Sequence, residues 1–65
     1  MEDRIRKAVE KYGEVMIRTD SGEDFELHKH NADFKDDGVV EVDADDEVHW
    51  LDLDKVERYW IHYDF

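Results

Sequence analysis

The chain contains no cysteine and no proline, and only three of its 65 residues are glycine. Without cysteine it can form neither disulfides nor thiolate metal sites, and it has no thiol nucleophile. Serine and threonine hydroxyls are limited to Thr19 and Ser21, and no glycine-rich phosphate loop is present. No apolar run approaches the roughly 18–20 residues of a membrane span. The N-terminal stretch also lacks the apolar core of a signal peptide. A chain this short has no room for the usual pocket of roughly 300 Å³ unless it oligomerises. These absences predict a cytoplasmic, non-catalytic single domain spanning 1–65, with no cofactor and no membrane partner.

Basic residues are scarce as well, nine against twenty acidic ones, for a formal net charge of -11. Aspartate, at twelve, outnumbers glutamate, at eight, and lysine is down to five. High net charge with few apolar residues is the composition of disordered segments. Eight aromatic residues, the missing proline and a regular apolar pattern argue instead for a folded chain. The composition is that of a folded protein tuned to concentrated salt. There a carboxylate-rich surface holds water and self-repulsion is screened within a few ångströms.

Ile5, Ala8, Val9 and Tyr12 fall at i, i+3, i+4 and i+7, one face of an amphipathic helix over 2–12. Glu2 and Asp3 open it and Lys7 and Lys11 lie toward its end, each the sign that the helix dipole favours. Gly13 follows where a left-handed cap belongs. Beyond it the period changes to two, which predicts strands at about 14–19, 24–30, 38–43, 47–52 and 57–63. Turns are expected at Ser21-Gly22, at Asp36-Asp37-Gly38 and along Asp43–Glu47, with a loop over 31–34. Leu53–Val56 reads as one helical turn. The expected core comprises Val15, Ile17, Phe25, Leu27, Val40, Val42, Trp50, Val56, Tyr59 and Ile61. The fold class is mainly β with one N-terminal helix: a five-stranded antiparallel sheet, strongly bent or curled into a small barrel.

Two stretches resemble the Sm-like small barrels. Val15-x-Ile17 followed by Asp20-Ser21-Gly22-x-x-Phe25 is similar to the first strand and turn of their first motif. Trp50-Leu51-Asp52-Leu53-Asp54-Lys55-Val56 is similar to the passage between their last two strands. The resemblance implies a helix-capped barrel and nucleic-acid binding. Members that bind RNA place Asp and Asn after the second strand, where this chain has Asn31 and Asp33. Their Arg-Gly or Lys-His pair near the fourth strand has no counterpart in 50–56.

Three constellations carry chemistry. His28 and His30 are two apart on an expected strand, so both project from one face about 7 Å apart. They can share a metal ion if His62 or His49 supplies a third ligand. Against this, no spaced metal motif accompanies them, and histidine is an ordinary residue on a wet sheet face. Asp43, Asp45, Glu47 and Asp54 echo a calcium loop, but its glycine position is Val48, inside an expected strand. Trp50, Trp60, Tyr59, Tyr63 and Phe65 crowd the C-terminal third. Alternation there sets Arg58, Trp60 and His62 on the outward face of the last strand. That patch is neutral and aromatic in a repulsive surface, so a partner can approach it, most simply a second copy across a two-fold axis.

Three functions are therefore expected in competition. They are a protein-interaction module that forms a homo-oligomer, with a dimer favoured; an Sm-like nucleic-acid binder; and a histidine-based metal binder. The charge alone yields a measurable consequence. Thermal unfolding in roughly 2 M potassium chloride, where the Debye length is about 2–3 Å, should occur at a higher midpoint than in roughly 0.1 M. An unchanged midpoint would count against tuning to salt.

Overall fold

The computed structural model describes residues 2–62. The elements run α1 (Glu2–Tyr12), β1 (Glu14–Thr19), β2 (Asp24–His28), β3 (Ala32–Phe34), β4 (Val39–Ala44), β5 (Glu47–Asp52), a 3₁₀ turn (Leu53–Lys55) and β6 (Val56–Trp60). The helix ends where expected. Gly13 takes φ of 85° and donates its N–H to the Val9 carbonyl at 2.8 Å, closing the last turn through a left-handed residue.

The strands form two three-stranded antiparallel sheets, ordered β2-β1-β6 and β3-β4-β5, not one five-stranded barrel. Among the described residues their ladders do not join into a closed cylinder. The sixth strand is the segment 31–34 expected as a loop. Ala32, Asp33 and Phe34 pair with Val42, Glu41 and Val40. Three residues are too few to show a period of their own, so the strand exists because β4 offers it a partner. The expected second strand stops at His28, and residues 29–31 form a turn. The last strand is Val56–Trp60, shorter than expected, and Tyr63 and Phe65 lie outside the described residues.

Only Asp45 and Asp46 of the acidic run form the turn between β4 and β5, with φ of 52° and 63°. Aspartate tolerates this left-handed region better than most residues, and a two-residue turn of this kind matches the twist of its strands. It also places Glu47 inside β5, which removes the calcium-loop reading of Asp43–Asp54. The β1–β2 turn is closed by Thr19, a buried polar residue. Its hydroxyl accepts from the Glu23 N–H at 3.2 Å and lies 2.9 Å from the Ser21 hydroxyl.

One core joins the layers. Ile5 and Val9 from α1, Val15, Ile17 and Leu27 from the first sheet, Val40 and Val42 from the second, and Leu53 and Val56 are all buried. Phe25, Tyr59 and Ile61 are half-buried and pack against this cluster. Two expectations fail. Trp50, expected inside, is 65% exposed, and Tyr12 on the helix face is exposed with the Lys11 ammonium over its ring. Leu53 takes the interior place instead. Asp52 caps the 3₁₀ turn by accepting the Asp54 N–H at 2.9 Å, and Leu53 N–H donates to the Gly38 carbonyl at 2.9 Å. That fixes Leu53 under both sheets. Ile5→Ala and Leu53→Ala should therefore each cost about 2–5 kcal/mol in denaturant unfolding. A loss near zero for Ile5→Ala would mean that α1 does not contribute to the core.

Candidate functional site

Strand register decides which polar side chains meet. On β1, Val15, Ile17 and Thr19 point inward, so Glu14, Met16 and Arg18 point out. Across the ladders Glu14 faces His28, Met16 faces both Glu26 and Trp60, and Arg18 faces both Asp24 and Arg58. The outer face of the first sheet thus unites Arg58 and Trp60 with His28, residues the sequence offered as two separate candidates.

Trp60 is half-buried on this face. The Arg58 and Arg18 guanidinium carbons lie 4.8 and 5.4 Å from its ring centroid, so two cations shield the indole. Arg18 in turn donates to Asp24 through Nε at 2.7 Å and Nη2 at 3.1 Å, a two-point pairing across the strands. Arg58 and His62 are exposed, and His62 lies beyond the end of β6.

The histidines diverge. The His28 ring Nε2 is 2.7 Å from Glu26 Oε1, and its backbone N–H donates to Asn31 Oδ1 at 2.6 Å. His30, in the turn, stacks on the His28 ring with centroids 5.1 Å apart and planes at 22°. Parallel rings do not aim their nitrogens at one common point. The metal-competent cluster among the described residues is instead Glu14, Glu26 and His28, whose donor atoms lie within 4.8 Å of one another. Neither His30 nor His62 enters it. His49 points inward from β5, edge-on to Phe25 at 5.0 Å, with Nε2 3.3 Å from Glu47 Oε1.

A cleft of about 400 Å³, more than so short a single chain was expected to hold, opens between β2 and the β4–β5 turn, lined by Asp24, Glu26, His28, Asn31, Asp43 and His49 among others. Asn31 is committed internally. Besides accepting from His28, its amide donates to the Glu26 carbonyl at 3.0 Å and the Asp43 carbonyl at 3.3 Å. Asp33 is engaged by Lys35 Nζ at 2.8 Å. Both residues suggested by the Sm-like loop thus serve local structure.

The surface that sequence reasoning missed lies on the outer face of the second sheet. There Trp50 sits opposite Glu41 and donates its indole N–H to Glu41 Oε1 at 2.9 Å, with exposed Val48 two residues away. Among the described residues no helix is long and apolar enough to cross a membrane. The sequence matches no protein-family model and no curated relative.

The Arg18–Asp24 pair has a clear titration signature. Hydrogen bonding to Arg18 holds the Asp24 carboxyl below its ordinary value, and the same bond raises the Arg18 guanidinium. A depressed folded value means that the pair stabilises above the unfolded carboxylate pKa of about 3.9 and loses that effect as pH falls through the lower folded value. Arg18→Met should move the Asp24 titration midpoint upward when followed by carboxyl-detected NMR. It should also increase the solvent exposure of Trp60 fluorescence. A midpoint that stays where it was would show that Arg18 does not set it.

Proposed function

We propose that the protein is a non-catalytic protein-interaction module that self-associates through the outer face of the β3-β4-β5 sheet, with Trp50 at the centre of the contact. The observation that carries this reading is the state of Trp50: 65% exposed, yet held in one orientation by its bond to Glu41. A large aromatic already fixed in place loses little entropy when a partner covers it, and tryptophan is the residue most enriched at energetic centres of interfaces. Val48, 45% exposed, and Val39 extend the same face. Trp60, by comparison, is already covered by two guanidinium groups and offers a partner less.

Magnitudes set the expected strength. Covering the exposed part of Trp50 contributes roughly 2–4 kcal/mol. A two-fold interface counts every such contact twice, which brings the total into the range of the about 4–15 kcal/mol lost on association. The dimer is therefore weak and dependent on concentration. Glu41, Asp43 and Asp52 share this face and repel a second copy in dilute buffer. Concentrated salt removes that repulsion while leaving the apolar contribution.

Sedimentation equilibrium in roughly 2 M against roughly 0.1 M potassium chloride tests the reading. The wild type should show a concentration-dependent mass above the monomer at high salt only. Trp50→Ala should be monomeric with an unchanged unfolding midpoint, and Trp60→Ala should still associate. A wild type that stays monomeric at millimolar concentration in both salts rules out self-association. Association lost with Trp60→Ala and kept with Trp50→Ala would move the interface to the other sheet.

A further inference from the structure

On the opposite sheet, we propose that Glu14, Glu26 and His28 bind a single divalent ion of the zinc type. This site is separate from the Trp50 surface and does not depend on it. Three donors are brought to one spot by the β1–β2 ladder. Glu14 and His28 are direct partners across the strands, and Glu26 is two residues before His28 on the same outward face. Their ligand atoms fall within 4.8 Å of one another. Tetrahedral zinc with bonds of about 2.0–2.1 Å holds its donors roughly 3.3 Å apart, so the widest gap must close by roughly 1.5 Å. Rotation about the long side chains of two glutamates covers that distance without moving the backbone.

The imidazole is already placed. Asn31 fixes the backbone at His28, His30 lies flat against one face of the ring, and Nε2 points at Glu26 Oε1. In the metal-free protein Nε2 is hydrogen-bonded to that carboxylate at 2.7 Å. The ion takes the place of that bond, with the neutral ring offering its Nε2 lone pair and carrying its N–H on Nδ1. Two carboxylates and one neutral imidazole balance the double charge of the ion, in a chain whose net charge of -11 further favours a cation. The imidazole also sets the selectivity. Carboxylates alone serve magnesium and calcium, whereas one nitrogen with two oxygens suits zinc and its transition-metal neighbours. Three protein ligands leave the fourth position to water at the rim of the cleft, which Glu26 and His28 line.

Calorimetric titration of the untagged protein with zinc chloride, with magnesium chloride as the competitor, tests the site. The expected result is one zinc per chain and no displacement by a hundredfold excess of magnesium. His28→Gln, Glu14→Gln and Glu26→Gln should each weaken binding by about 10–100-fold, on the scale set by loss of groups that orient or supply ligands. Asp36→Asn removes a carboxylate elsewhere and should leave the affinity as it was. In the wild type, nitrogen NMR should show the His28 ring shifting on addition of zinc, with the change at Nε2 that direct ligation gives, and His49 and His62 unchanged. That measurement decides the matter even if a variant fails to fold. No binding, weak multi-site binding that magnesium displaces, or a zinc affinity unaltered by His28→Gln would each overturn the proposal.

Discussion

The two sheets can share one core only because the chain crosses between them at two fixed points, Asn31 and Leu53. At the first, a single amide side chain accepts from His28 in β2 and donates to carbonyls of Glu26 and Asp43, joining the end of one sheet to the start of the other. Its backbone carbonyl accepts from the Asp43 N–H at 2.9 Å as well. At the second, the capped 3₁₀ turn drops Leu53 into the interior and delivers the chain to β6. Both junctions satisfy backbone groups that would otherwise be unpaired where strands end. In a chain whose core supplies only about 3–5 kcal/mol net, neither joint can be lost cheaply.

Asn31 has a consequence for chemistry too. By holding the backbone of His28, it fixes where β2 stops and keeps His28 in its pairing with Glu14. The Glu14, Glu26 and His28 cluster thus depends on the β1–β2 register and on this joint together. Cross-strand glutamates facing a histidine would drift apart if the end of β2 frayed. Exposed ion pairs contribute little to holding such a surface together, so the order must come from the ladder and the Asn31 joint.

Much of this architecture was legible in the sequence, and the failures have identifiable causes. The helix was visible because eleven residues give three turns of apolar period and a glycine stop. Trp50 was misplaced because hydropathy favours burying Val48 and Trp50 over His49 and Leu51. The two-residue turn at Asp45-Asp46 overrules hydropathy. It pairs Ala44 with Glu47, Val42 with His49 and Val40 with Leu51, so the inward valines of β4 pull His49 and Leu51 inward with them. Counting outward from the turn would have revealed this, had the turn been placed within the five-residue acidic run. The strand at 32–34 was hidden by its length. The metal candidate was half visible. His28 was found by spacing along the chain, but Glu14 is its neighbour only across a ladder, and no spacing along one strand discloses that.

The two tryptophans show how one charge pattern produces two kinds of surface. Each stands on the outward face of a sheet, and each has a charged residue beside it across the ladder or along the strand. Trp60 has arginines as neighbours, and a guanidinium is attracted to the negative face of the indole, so Arg18 and Arg58 close over it. Trp50 has Glu41, whose carboxylate is repelled by the ring face and can engage only the N–H at the edge. A cation therefore covers its tryptophan, whereas an anion steers its tryptophan and leaves the face bare. With twenty acidic residues against nine basic ones, a tryptophan on this surface meets an anion more often than a cation. The excess of carboxylates is thus what leaves the face of Trp50 open while its edge is held.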